Sequence, residues 1–187
     1  MDRQKIILFA VLLSIFSSSC KSEPSKDRNE PEKKVITENQ ASNNQDTTQV
    51  TKFVDDDEFV FGVIDNDLTI SYFKSQFNLI EKQVIQNQHN PALSDTVMIF
   101  SNGKDTANFY VSPSNTILQE AVINSQEIVL NDSIKVGTDD EVLKRRFNLK
   151  SIPDSLVVKD FENSSYFLFT FQKSKIDRIV YKARYYD

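Results

Sequence analysis

The chain repeats itself. Phe73-Lys74-Ser75-Gln76-Phe77-Asn78-Leu79 matches Leu143-Lys144-Arg145-Arg146-Phe147-Asn148-Leu149 at an offset of 70 residues, with Lys, Phe, Asn and Leu recurring in register. Further on, Met98–Asn124 matches Leu156–Lys182 without a gap at an offset of 58; Phe109 meets Phe167, Val111 meets Phe169, Leu118 meets Ile176 and Val122 meets Val180. The fall from 70 to 58 leaves twelve extra residues in the first copy, after its helix core. Such self-similarity constrains the fold strongly, because each copy must supply one supersecondary unit that buries its apolar face against its neighbour.

Each copy reads as one helix and three strands. In copy one, Ile70, Phe73, Phe77, Ile80 and Val84 are spaced 3, 4, 3 and 4 apart, one face of a helix that the extra residues extend towards Pro91. In copy two, Thr138 and Glu141 form a capping-box pattern, with Asp139 and Asp140 in the first turn. Val142, Leu143 and Phe147 supply the apolar face there, and Gly137 permits a tight turn into the helix. Asn102-Gly103 between Thr96–Ser101 and Thr106–Ser112 is a strong hairpin signal. Ser112–Asn115, Glu162–Ser164 and Lys173-Ser174 punctuate the other strands, so sequence neighbours should pair antiparallel. Glu58–Phe61 and Glu127–Leu130 read as corresponding short apolar stretches before each helix.

The expected fold is therefore α+β: two αβββ repeats forming one antiparallel sheet with the helices on one face. Copy one covers about 58–124 and copy two about 127–187, within a domain of residues 53–187. The helix start Ile134-Lys135-Val136-Gly137-Thr138-Asp139-Asp140-Glu141-Val142, followed by Phe169, Phe171, Ile176, Ile179 and Tyr181, resembles the β-lactamase-inhibitor-protein-like fold. That fold also occurs in small outer-membrane-assembly lipoproteins and in uncharacterised Bacteroidota lipoproteins. The resemblance implies helices packed on one side of an antiparallel sheet, with the other side open.

The N-terminus reads as an address. Asp2–Lys5 is charged, Ile6–Phe16 is an apolar run broken by Ser14, and Ser17-Ser18-Ser19 leads to Cys20, the one cysteine. That order is a secretory signal peptide over residues 1–19, and the run is too short to span a bilayer, which needs ~20 apolar residues. It resembles a bacterial lipoprotein signal, in which Cys20 is lipidated; Ser17 stands where that pattern prefers Leu. Acyl chains contribute about 0.8 kcal/mol per buried CH₂ and would anchor the chain. Lys21, by the same resemblance, implies the outer membrane, facing the periplasm or the cell exterior. Residues 20–52, rich in Ser, Asn, Gln, Glu, Lys and Thr, read as a disordered tether reaching roughly 30 Å.

The candidate site is the open sheet face. Tyr166, Leu168 and Thr170 alternate with Phe167, Phe169 and Phe171, and Phe109 and Val111 join the Phe set. The Phe set, being larger, is assigned to the helix side. Met98, Phe100, Tyr110, Val122, Leu156, Val158, Tyr166, Leu168 and Val180 then look away, a face less polar than an antiparallel sheet usually shows to water. Arg178, Lys182 and Arg184 flank its aromatics, an interface-like composition. Tyr110, Tyr166 and Leu168 are the expected apolar anchors, with Arg178 and Lys182 as rim charges. The competing expectation is that residues 53–61, a long loop or the other copy covers this face.

Other chemistry is sparse. His89, the one histidine, sits in the polar stretch Asn87–Pro91 and reads as a solvated loop residue. With Cys20 lipidated, no Cys/His zinc site and no disulfide can form. The three glycines make no phosphate cradle, and no cofactor is expected. Asp55-Asp56-Asp57-Glu58 lacks the glycine turn of a calcium loop and reads as the end of the linker, and Asp65-x-Asp67 as a helix cap. The net charge of −5 argues against nucleic acid, and no small-molecule ligand is expected. The expected function is a membrane-anchored, non-catalytic lipoprotein whose domain binds or scaffolds another envelope protein. The alternatives are a proteinaceous enzyme inhibitor presenting the Ser101–Asp105 loop and, behind it, an enzyme acting through carboxylates such as Asp65 or Asp139.

Overall fold

A computed structural model describes residues 50–184. The signal segment, Cys20 and residues 21–49 of the expected tether lie outside the described residues. Eight strands form one sheet: β1 Thr51–Asp55, β2 Asn78–Gln86, β3 Ser94–Ser101, β4 Thr106–Val111, β5 Thr116–Ile123, β6 Ser155–Lys159, β7 Ser165–Gln172 and β8 Lys175–Ala183. Three helices accompany them: α1 Asp57–Asn66, α2 Ile70–Gln76 and α3 Asp140–Arg146. The strand order is β1-β6-β7-β8-β5-β4-β3-β2. Two antiparallel meanders, β3-β4-β5 and β6-β7-β8, thus meet where β5 pairs β8. The sheet is mixed rather than wholly antiparallel, because β1 runs parallel to β6.

The chain before and between the meanders departs from the expected αβββ plan. The helix read over Ile70–Val84 stops at Phe77, whose extended backbone (φ −125°, ψ 155°) leads straight into β2. Ile80 and Val84, read as core, stand exposed on this edge strand. The spacing misled because four is a multiple of the strand period as well as near the helical one. The stretch Glu58–Phe61, read as lying before the helix, is itself within α1. Its Val, Phe and Gly content is poor for helix, but Asp56 caps it, accepting from the Phe59 amide at 2.8 Å. Phe59, Val60 and Val63 on α1 are buried. The acidic run is thus divided rather than a solvated linker end: Asp55 pairs with Lys159 at 3.1 Å and Asp57 accepts from the Phe161 amide at 2.8 Å.

Two further caps shift. Asp65 lies inside α1 and Asp67 ends it, while Thr69 caps α2 through the Tyr72 amide at 3.2 Å. In place of the Thr138–Glu141 capping box, Asp139 caps α3, accepting from the Glu141 amide at 3.1 Å. Thr138 is held outside the helix: its carbonyl accepts from Ile176 N at 2.9 Å and its hydroxyl from Lys135 N at 3.1 Å. The segment before α3 is thereby stitched to the start of β8, with Gly137 N donating to Ile176 O at 2.7 Å and Asp140 N to Ser174 O at 2.9 Å.

The core lies between the helices and one sheet face. Phe59 of α1 meets Phe147, Phe167 and Phe169 at centroid distances of 5.4, 5.5 and 6.2 Å. Phe73 of α2 meets Phe109 at 5.5 Å and Phe77 at 4.9 Å. Buried Ile128, Leu130 and Ile134, from the loop between β5 and α3, join this core.

A tight turn carries part of the polar burial. Asp160, 1% exposed, closes the β6–β7 turn by accepting from the amides and hydroxyls of Ser164 and Ser165. Burial alone pushes its pKa up, but the bonds from Ser165 and Ser164 outweigh it and hold the carboxyl below its ordinary value. A folded pKa below the unfolded one stabilises above the ordinary carboxylate range, and that stability is lost as pH falls through the folded pKa. Asp160→Asn is therefore expected to cost about 1–3 kcal/mol at neutral pH, and the gap from the parent should close on acidification; urea titrations across pH measure this.

Two positions in the left-handed region give opposite expectations. Gly137 has φ +87°, and a Cβ there would stand 2.9 Å from Gln126 Nε2, so Gly137→Ala should lower stability by roughly 1–2 kcal/mol. Lys173 and Ser174 form the β7–β8 turn at φ 52° and 60° without a glycine. Ser174→Gly keeps the carbonyl that receives Asp140 N and should raise stability by about 0.5–1 kcal/mol. Thermal melts of the two variants should move to opposite sides of the parent.

Candidate functional site: the open face of the sheet

Directly opposed residues of paired strands share a face. Met98 opposes Phe109, Phe100 opposes Ala107, Leu156 opposes Phe169 and Val158 opposes Phe167. Met98, Phe100, Leu156 and Val158 therefore face the helices, contrary to expectation. Even-numbered residues of β3 and β6 lie with odd-numbered ones of β4 and β7, because the turns between them set the phase and a strand's own alternation does not. The Phe-rich set does face the helices, as assigned. Tyr110, Val122, Tyr166, Leu168 and Val180 remain on the opposite face, together with Val157, opposed to Leu168, and Phe53, opposed to Val157.

Among the described residues, no helix packs on that far face. The segment 53–61, one candidate cover, forms the end of β1 and the start of α1 instead. The exposed Phe53 lies at the β1-β6-β7 end of this face. There a shallow depression of about 570 Å³ is lined by Phe53, Val157, Tyr166 and Leu168, with Lys159 and Arg184 beside them. Phe53 is 60% exposed. The Arg184 guanidinium lies 5.0 Å from the centre of the Tyr166 ring, a cation–π contact that fixes the ring's position. The Asp160 turn fixes the start of β7, and so the place of Tyr166, from below.

The five expected contact residues all lie on the far face but do not form one cluster. Tyr166 and Leu168 line the depression. Lys182 opposes Tyr166 on β8 and is bound to Glu120 at 3.2 Å, so its charge is already matched. Arg178 is exposed opposite Thr170; among the described residues neither it nor Arg184 pairs with a carboxylate. Tyr110 sits three strands from β7, roughly 14 Å away at ~4.8 Å per strand. Its hydroxyl donates to buried Asp95, and that bond, ahead of partial burial, raises the phenol's pKa. Asp95 also receives Asn87 Nδ2 at 2.8 Å, so Tyr110 ties down the β2–β3 loop. Sequence reasoning missed Phe53 and Val157; the alternation Thr51, Phe53, Asp55 was the available signal, but the pairing partner of β1 was not.

The other candidates are placed as follows. Asp139 is engaged as a cap and Asp65 is exposed on α1. His89 is exposed in the β2–β3 loop. The Ser101–Asp105 loop is bonded inward, with Ser101 Oγ donating to Asp105 O at 2.9 Å and Asp105 fully buried. A second opening of about 370 Å³ beside α1 is polar, lined by Glu58, Asn66, Asp67, Asn131, Asp132 and Arg146. Among the described residues, no three His, Cys, Asp or Glu side chains converge as a metal would need. No protein-family model, no curated protein and no solved structure matches this chain.

Proposed function

We propose that this chain is a lipid-anchored cell-envelope protein whose domain captures another envelope protein on the open sheet face. The observation that carries the reading is the apolar depression itself: Phe53, Tyr166 and Leu168 face outward from a sheet whose other side already holds a complete aromatic core. Exposed apolar surface gathered in one patch and edged by arginine is interface chemistry. The anchor reading rests on the segment ending at Cys20, and the outer-membrane assignment on Lys21. Among the described residues, no helix is long and apolar enough to cross a membrane. We also read the two meanders as copies of one unit. In support, the offset of 58 carries Phe109 to Phe167 and carries Asn102, at the β3–β4 turn, to Asp160, at the β6–β7 turn.

The test is crosslinking in intact cells from a photoreactive residue at position 166, followed by mass spectrometry. A discrete protein adduct is expected, and the double variant Tyr166→Ala/Leu168→Ala should abolish capture at the remaining positions of the patch. Both side chains are only half-buried, so the double variant should cost no more than about 1–2 kcal/mol. A loss of several kcal/mol, or an unchanged adduct, would show that the patch is not a docking surface. Cys20→Ala should move the protein from the membrane to the soluble fraction.

A further inference from the structure

The β3–β4 corner contains Asn102 followed by Gly103. In such a pair the backbone nitrogen of the glycine can attack the side-chain amide, because no Cβ obstructs the approach. Gly103 N loses its proton and bonds to Asn102 Cγ, and Nδ2 leaves as ammonia. Water then opens the cyclic imide at one carbonyl or the other, giving aspartate or isoaspartate. Water is the sole co-reactant, and nothing is oxidised or reduced.

The folded corner engages every group this step needs. Asn102 Oδ1 accepts from the amides of Lys104 at 2.9 Å and Asp105 at 2.7 Å. Asn102 Nδ2 donates to Asp105 Oδ2 and to Glu127 Oε2, each at 3.2 Å. The attacking nitrogen, Gly103 N, donates to Ser101 Oγ at 3.0 Å. The side chain cannot turn towards Gly103 without giving up four bonds.

Conversion would also change what the corner can hold. Asp105 is fully buried and accepts from Asn124 N at 2.7 Å and Ser125 N at 2.8 Å, which ties the turn to the chain leaving β5. Replacing the Asn102 amide with a carboxylate removes two donors and sets a third acid against Asp105 and Glu127. The β6–β7 turn offers an internal contrast: Asp160 occupies the matching place there, but four serine donors meet it. We propose that Asn102 is a hydrolytic modification site, kept intact by the folded corner, and that its conversion releases the corner from the β5 exit.

The experiment follows the Asn102 peptide of the full-length chain by mass spectrometry at mildly alkaline pH, in buffer and in denaturing urea. Conversion in buffer should be slower by about tenfold or more, since it requires the corner to open. Glu127→Ala removes one clamp at an exposed position and should speed conversion of the folded protein several-fold. Asn102→Asp should melt below the parent, and failure of that variant to fold counts the same way. Equal rates in buffer and urea, no acceleration by Glu127→Ala, or an Asn102→Asp protein as stable as its parent would each overturn the proposal.

Discussion

Everything in this domain depends on the short seam where β5 meets β8. Four residue pairs make it: Glu120 with Lys182, Ala121 with Tyr181, Val122 with Val180, and Ile123 with Ile179. Through them two meanders, each formed by near neighbours in sequence, become one sheet with one core. The seam is apolar towards the helices, and on the far face one apolar pair stands beside one charged pair. Ala121, Ile123, Ile179 and Tyr181 are buried towards the helices, and the small Ala121 leaves room opposite the Tyr181 ring, which lies 5.0 Å from Phe167. On the far side Val122 and Val180 continue the surface that leads to the depression. The Lys182–Glu120 pair closes its end at half-exposed positions, where an ion pair adds little to stability, ~0.2–1 kcal/mol, but fixes register.

The sequence made legible what is local. The turns at Asn102-Gly103, Ser112–Asn115 and Lys173-Ser174 separate the strands as expected, because turn chemistry acts over a few residues. What stayed hidden is non-local. β1 pairs β6 across 104 residues, and no feature of Thr51–Asp55 announces that partner. α1 forms against its own propensity because Asp56 caps it and Phe59 finds a place among Phe147, Phe167 and Phe169. The same division runs through the site. Tyr166 and Leu168 could be read from alternation in one strand, whereas Phe53 and Val157 enter the patch only through strand pairing.

The two sheet edges are managed differently. β2 is nearly all exposed and displays Leu79, Ile80 and Val84, a composition that invites pairing with another chain. A bulge between Leu79 and Glu81, with Lys82 beside it, interrupts the flat ladder such pairing needs. The stretch after α2 forms this guarded strand rather than a longer helix. The opposite edge, β1, is only five residues long and carries the most exposed side of the patch.

That first strand has a mechanical consequence. Its leading end is fastened twice, by Val50 N to Asp154 at 3.0 Å and by Thr51 Oγ1 to Ser155 Oγ at 2.8 Å, the latter at the first rung of the parallel ladder to β6. A pull on Val50 directed along this strand would meet that arrangement end-on. The load is then shared in shear across the whole ladder and both fastenings, instead of opening one rung after another as a zipper would. Under such a pull the strand resists peeling from the wall of its own depression.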